Sequence, residues 1–326
     1  FLSSLYFQVK KMKAVQISKY GGSEVVQINK NAPKPAVSTG KVLIEVYASG
    51  VNPVDWKIRE GYLRQMAPLK FPATLGGDFS GTVAEIGHGV SGFKNGDEVY
   101  GQASILGGGS GSFAEYITAN TGSIARKPEK ASHAEAAALP LAGVSAWQAI
   151  VEHIKLKKGQ KILIHGGAGG IGSFAIQIAK HLGAYVATTV SADDVQFVKK
   201  LGADEIIDYK DQSFEELLRE YDAVFDTVGG ETYKKSFKVL KKGGVVVSML
   251  EQPNSELMKK YGMRAVGQMT QVSGERLSKL AELVDRGVIK AYVDKTFSLD
   301  QAREALEYQQ TKHPRGKIVL KAQENR

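Results

Sequence analysis

Two observations on this 326-residue sequence imply an α/β protein built from two units. Residues 12–128 are short β-branched or alternating runs punctuated by Gly, Pro and Asn, which implies a strand-rich, partly barrel-like unit. From residue 129 onward, apolar strand candidates alternate with amphipathic helical stretches, the pattern of a doubly wound parallel sheet of Rossmann type. With 43% hydrophobic residues, the chain has apolar material for a core in each unit.

In the first unit "MKAVQIS", "KVLIEVYAS", "GTVAEIG" and "DEVYGQA" are the strand candidates. At "KASHAEAAALPLAGVSAWQAIVEHIKL" the composition turns to alanine-rich helix. Ser132 is placed to N-cap it, and Glu135, three residues later, to complete a capping box. Six strands follow, at "KILIHG", "YVATTV", "EIIDY", "DAVFDTV", "VVVSML" and "RAVGQM". The helical stretch "GERLSKLAELVDRGVI" closes this unit near residue 290. Residues 291–326 then add a strand, a helix and a strand, which exceeds what a six-strand sheet needs and is expected to return to the first unit. The expected domains are therefore 12–128 with 291–326, and 129–290. Residues 1–11 are set aside as a tail in which "LYFQ" looks like a protease-site remnant.

The net charge of +9 is spread along the chain with no basic stripe interleaved with aromatics, so no specific nucleic-acid partner is expected. The absence of cysteine excludes disulfides, a thiolate nucleophile and cysteine-ligated zinc. It also fits a reducing cytosol, and a cytoplasmic chain is expected. No apolar run approaches the roughly 18 residues that span a bilayer. The six histidines have no metal-ligand spacing, and none pairs with a Ser or Asp in triad fashion, so no metal is expected.

"HGGAGGIGSFAIQIAK" follows an apolar strand candidate and opens a helix. Gly167-x-Gly169-x-x-Gly172 satisfies the dinucleotide pattern, in which backbone N–H groups approach a pyrophosphate and the helix N-terminus favours its charge. The glycines alone also fit a short-chain dehydrogenase, a methyltransferase or a tight turn without ligand. A short-chain dehydrogenase begins with such a turn and places Tyr-x-x-x-Lys downstream. Here the turn comes mid-chain, after some 150 residues; one such pair, Tyr6 to Lys10, precedes it, and another, Tyr308 to Lys312, lies in the C-terminal segment.

The longer stretch "GQKILIHGGAGGIGSFAIQIAK" resembles the signature of the quinone oxidoreductase and zeta-crystallin branch of the medium-chain dehydrogenases/reductases. "ASGVNPVDWKIREGY", "LGGDFSGTVAEIG", "NGDEVYG", "GSFAEY", "AAALPLAGVSAW", "DTVGG" and "RGKIVL" extend the resemblance over nearly the whole chain. It implies a GroES-like β-rich catalytic domain plus a Rossmann cofactor domain. It also implies hydride transfer from NADPH to a quinone or an α,β-unsaturated carbonyl, an enone or enal, and a homodimer. Zeta-crystallin relatives also serve structural or RNA-binding roles, so a non-catalytic, NADPH-gated binding protein is the alternative. Zinc-dependent relatives carry a cysteine where Asn52 stands and His-Glu where Gly77 and Asp78 stand, so the sequence is similar to the zinc-independent members.

By the same resemblance Asn52 lies near the nicotinamide, and Tyr62 orients substrate or relays a proton. Asp55 shares that segment, or serves as a turn or capping residue. Lys57 and Arg59 are read as solvated charges. The cofactor would be held by Gly167, Ala168, Gly169, Gly170, Ile171 and Gly172 at the turn, and by Val228 and Gly229 of "DTVGG" on the adenosine side. Ser248, Met249 and Leu250 would present backbone to the nicotinamide. Ser145 matches a hydroxyl on the nicotinamide side, the alternative being a helix serine bonded to its own backbone.

An NAD-specific fold ends its second strand with an acid about 20 residues past the glycines. Here "YVATTVSADD" ends that strand with Ser191, and the acids arrive at Asp193 and Asp194. Ser191 and Asp194 have capping-box spacing, so the acids need not touch a ribose. A neutral hydroxyl tolerates the 2′-phosphate that an acid repels. Tyr209 matches the family's phosphate-binding tyrosine, while its lysine is missing, with Val195 near that place. NADPH is therefore expected over NADH. Ser191→Asp is expected to lower kcat/KM for NADPH more than for NADH, and equal losses in steady-state kinetics would place Ser191 away from the phosphate.

Overall fold

The computed structural model describes residues 10–323. Residues 1–9, with "LYFQ" and Tyr6, lie outside the described residues. Eight strands open the chain: β1 (Lys11–Ile17), β2 (Gln27–Pro33), β3 (Lys41–Val51), β4 (Ala73–Thr74), β5 (Asp78–Ile86), β6 (Glu98–Gln102), β7 (Tyr116–Asn120) and β8 (Ile124–Arg126). β3 is the spine of this unit. It pairs antiparallel with β5 and β7, and its buried Val42, Ile44 and Val46 pack with Phe79 and Ile117 into one core cluster. All four strand candidates are present here as β1, β3, β5 and β6.

The chain leaves β3 directly into helix α1 (Pro53–Arg59). Arg59, expected to be solvated, is only 1% exposed. Its guanidinium donates to Gly21 O (3.3 Å) and Gln310 Oε1 (3.0 Å) and pairs with Glu60, so it ties α1 to the C-terminal helix Ala302–Thr311. The reading failed because a charged residue at a helix end is solvated only if no neighbouring element covers it.

The alanine-rich segment forms three helical pieces rather than one helix: α2 (His133–Ala137), α3 (Pro140–Trp147) and a π-helical stretch Gln148–Ile154. Pro140 lacks an N–H and its ring excludes the preceding helical carbonyl, so the helix restarts there. The capping box is present: Glu135 N donates to Ser132 Oγ (3.2 Å) and Ser132 N to Glu135 Oε2 (3.0 Å).

Six parallel strands follow, β9 (Lys161–His165), β10 (Tyr185–Val190), β11 (Glu205–Asp208), β12 (Tyr221–Asp226), β13 (Leu240–Ser248) and β14 (Arg264–Gly267), in the order β11-β10-β9-β12-β13-β14. Each lies where a strand candidate was read. Central strands of such a sheet are buried on both faces, which is why Ile162, Leu163 and Ile164 are all fully buried. After β9 the chain winds outward to β10 and β11, then crosses back to β12. The switch point between β9 and β12 is where open α/β sheets bind ligands.

The chain ends in β15 (Val293–Ser298), the helix Ala302–Thr311 and β16 (Lys317–Lys321). β16 pairs antiparallel with β3, Ile318 opposite Val51, and parallel with β15, so the last strands extend the sheet of the first unit. Among the described residues no helix is long and apolar enough to cross a membrane.

Candidate active site

The turn after β9 is built for close backbone approach. A side chain at Gly167 would put its Cβ 2.1 Å from Thr188 Oγ1, and one at Gly172 would put it 2.2 Å from Gly166 O. Helix α4 (Gly170–His181) begins there with Gly169 as N-cap. The first N–H groups of a helix have no intrahelical partner, so those of Gly170, Ile171 and Gly172 present partial positive charge at the turn. Ala168 belongs to the turn through its carbonyl, which accepts the N–H of Gly316 (2.8 Å).

The carboxyl ends of the strands are coupled by Asp226, which is fully buried at the end of β12. Its Oδ1 accepts the N–H groups of Val228 (3.0 Å) and Gly229 (2.9 Å), and its Oδ2 accepts Ser248 Oγ–H (2.7 Å) from the end of β13. Ser248 Oγ in turn accepts from Leu250 N and Glu251 N. The Ser248 side chain thus shapes the loop, and Met249 is half-buried beside it. Large apolar residues are exposed in a row at these ends: Tyr209 after β11, Val228 after β12, Leu250 after β13 and Met269 after β14. A rim of this kind is expected where a ligand covers it.

Where β3 ends and β5 and β16 begin, four buried polar side chains meet. Pro53 opens α1 at its first position, and the Asp55 carboxylate accepts the N–H of the N-cap Asn52 (2.7 Å). Asn52 Nδ2 donates to Asp78 Oδ2 (2.9 Å), which also accepts the N–H of Leu141 in the first turn of α3 (3.0 Å). Gln102 Nε2 reaches Asp78 Oδ1 (3.3 Å). The fourth member is Lys317, 3% exposed, whose Nζ donates to Val51 O (3.0 Å) and to Asn52 Oδ1. Sequence reasoning missed it, and the signal that could have found it is slight: a lysine inside the apolar run "KIVL" after a glycine.

Burial drives every charge in this cluster toward neutrality. It pushes Asp78 up and Lys317 down, each opposed by the other's charge, and lifts Asp55 to about 7. Asp78 accepts from three donors and Asp55 from one, so the charged form of Asp78 has the more hydrogen bonds to hold it, and Asp55 is left to titrate near neutral pH.

The amide of Asn52 is spent on Lys317 and Asp78. Asp55 caps α1 as well as sharing the site segment. Tyr62 stands 68% exposed beyond the end of α1, its ring edge-on to Trp56 at 5.8 Å. Ser145 is fully buried, and its hydroxyl donates to Leu141 O (2.7 Å), as a helix serine does, while pairing with Thr270 Oγ1 (2.7 Å). With Gln268 Nε2 on Ser145 O and Gln148 Nε2 on Met269 O, it anchors the segment after β14 to α3. Ser191 Oγ donates to Asp194 Oδ2 (3.0 Å), so the expected capping spacing is used side chain to side chain.

One histidine, His133, corrects the reading that none sits in a triad-like arrangement, while His165 is bonded to two hydroxyls and, among the described residues, to no acid. His133 lies between Ser80 Oγ (2.8 Å) and Glu98 Oε1 (3.1 Å), and His165 between Thr189 and Ser236. Both Ser80 and His165 are fully buried.

Residues 38–129 match the model of the alcohol dehydrogenase GroES-like domain, and residues 201–320 that of a zinc-binding dehydrogenase. A chloroplast envelope quinone oxidoreductase homolog of Arabidopsis thaliana is 35% identical over 95% of this chain and 98% of its own. The chain belongs to the quinone oxidoreductase branch of the medium-chain dehydrogenases/reductases. A further relative, the chloroplastic NADPH-dependent alkenal/one oxidoreductase of Arabidopsis thaliana, is 37% identical over 95% of this chain and 80% of its own. Among solved structures, the quinone oxidoreductase of Coxiella burnetii superposes with a TM-score of 0.89 at 36% identity, covering 96% of this chain and 100% of that one.

The name of the second family model raises the question of zinc. The donor set in this member of the branch does not fit that ion. Asn52 bonds an ammonium group on its carbonyl and Asp78 on its amide, and no cysteine exists to bind a soft cation.

Lys317→Met keeps the stem but leaves Asp78 without its counter-charge. Val51 O and Asn52 Oδ1 also lose their buried donor, so a loss of about 1–3 kcal/mol in denaturant unfolding is expected, and a loss within error would mean the cluster is solvated. The folded-state proton on Asp55 is one that the unfolded chain has released by pH 5. Its contribution is therefore present at low pH and lost as pH rises through about 7. Relative to Asp55→Asn, the native chain is expected to lose up to about 1.4 kcal/mol per pH unit between pH 5 and 7, and a flat difference would contradict the buried proton.

Proposed function

We propose that the chain is an NADPH-dependent reductase of quinones and α,β-unsaturated carbonyls. The observation that carries this reading is the junction at Gly170. A Cβ there would meet Lys317 Cδ at 2.9 Å, so the glycine turn packs directly on the polar cluster around Asn52. A dinucleotide held at the turn then lies beside the first unit, where an acceptor can be placed. The relatives' names supply the chemistry, quinone for one and NADPH with alkenals and alkenones for the other.

The residues present fit the cofactor. Gly167 and Gly172 leave the backbone bare where side chains would collide, the first turn of α4 offers N–H groups to a pyrophosphate, and Val228 and Leu250 offer apolar cover to the nucleotide. When bound, NADPH supplies the hydride. The chain's own part is to hold and orient: Ser191 and Tyr209 at the phosphate-bearing ribose, and Asn52 fixed by Lys317 and Asp78 on the nicotinamide side. Asp55, lifted to about 7, exchanges a proton within that cluster near neutral pH, and the exposed Tyr62 and Met66 offer apolar surface to a flat acceptor. Because such acceptors delocalise the charge that develops, positioning contributes much of the rate. A homodimer joined through β14 belongs to the same proposal, since the outer edge of that strand is unpaired among the described residues.

NADPH oxidation is expected with a simple quinone or with a small enone, at a kcat/KM above that for NADH. No turnover with either acceptor class would overturn the reductase reading, and a preference for NADH would overturn its cofactor. In light scattering the same sample should show twice the 35.2 kDa chain mass, and the monomer mass would reject the dimer.

A further inference from the structure

The position where the family carries a lysine for the 2′-phosphate holds Val195 in this chain, yet the end of β10 is not without a cation. Arg315, from the segment before β16, reaches it across the fold. Its Nε donates to Asp194 Oδ1 (2.6 Å) and its Nη2 to Asp193 O (2.7 Å). The next residue, Gly316, donates its N–H to Ala168 O of the glycine turn, so this segment lies against both the turn and the end of β10. The Asp194 carboxylate that takes Arg315 on one oxygen takes Ser191 Oγ–H on the other. Tyr209, half-exposed, is drawn to the same place by its N–H on Val190 O (3.1 Å).

We propose that Arg315 is the residue that selects NADPH over NADH, binding the 2′-phosphate from the C-terminal segment in place of the missing lysine. This rests on the cofactor reading above. A guanidinium has five N–H donors in a planar fork that matches phosphate oxygens in pairs. Two are committed to Asp193 and Asp194, and among the described residues the other three have no acceptor. Arg315 is about half exposed, so a phosphate can reach them. Asp194 has a definite part in this arrangement. Its carboxylate holds the fork beside Ser191, while the guanidinium offsets the charge that would otherwise repel a 2′-phosphate. Lys199 and Lys210, the other cations near in sequence, make no bond to residues 191–194 among the described residues.

Equilibrium binding tests this without turnover, using NADPH, NADH, 2′,5′-ADP and 5′-ADP as probes. Arg315→Ala is expected to weaken NADPH and 2′,5′-ADP by about ten- to hundredfold and to leave NADH and 5′-ADP within about twofold. Arg315→Lys, which keeps the charge and loses the fork, should fall between and also controls for folding. A native chain that favours 2′,5′-ADP while Arg315→Ala binds all four probes as before, or weakens all four alike, overturns the role of Arg315 alone. A native chain that binds 2′,5′-ADP no tighter than 5′-ADP overturns the cofactor reading and this proposal together.

Discussion

The ammonium group of Lys317, buried where three strands of one sheet meet, is the constraint around which the site is arranged. A lysine in the interior is tolerated only when its charge is matched and its donors are bonded. Those requirements fix what stands around it: a carbonyl at the end of β3, an amide at Asn52 and, on the far side of that amide, a carboxylate at the head of β5. They also fix what cannot stand there. The lysine stem runs against Gly170, and the backbone before it presses on Tyr292, where a Cβ at Gly316 would lie 2.3 Å from Tyr292 O. One side chain therefore sets the distance between the nucleotide turn and the first unit.

The second unit meets a different problem at the same junction. Parallel strands end together on one side, leaving loops that must be shaped without a covering helix. Asp226 and Ser248 shape two of them by taking four loop N–H groups between them. With the polar groups satisfied inside the loops, the outward side chains are free to be apolar. That is why Val228 and Leu250 are exposed there, and why the edge suits the flat, partly apolar surface of a nucleotide.

The fold was legible because its signals are local. Every strand of the parallel sheet is a short apolar run bounded by turn residues, and the Ser132 cap needs only four consecutive residues to be seen. The glycine turn was legible for the same reason. What escaped were contacts made across the chain. Lys317 is 265 residues from Asn52, Arg315 is 121 from Asp194, and Arg59 is 251 from Gln310, and no periodicity encodes such pairings. Charged residues suffered most, because a sequence pattern assigns them to solvent unless a partner is known. Ser145 shows the intermediate case. Both readings of it were available from the sequence, and the bond to Leu141 O four residues earlier is the one the local helix provides.

The arrangement of Ser80, His133 and Glu98 shows why geometry must be joined to access before a site is named. Nε2 of His133 faces a carboxylate, so it carries the ring proton, and Nδ1 is left to accept from Ser80 Oγ–H. The order acid, imidazole, hydroxyl is that of a hydrolytic triad, but the two ring nitrogens have exchanged places, since a triad carries the proton on Nδ1 and accepts at Nε2. Ser80, however, is fully buried inside β5 with Val99 O beside its hydroxyl at 3.3 Å, and no acyl group can approach it. The three residues come from β5, β6 and the first position of α2, so the effect of the bonded chain is mechanical. It fastens the helical segment that follows the first unit to the sheet, and through Leu141 at the start of α3 that segment reaches the Asp78 carboxylate. The same hydrogen bonds that would activate a nucleophile on an open surface here hold in place the backbone that Lys317 and Asn52 depend on.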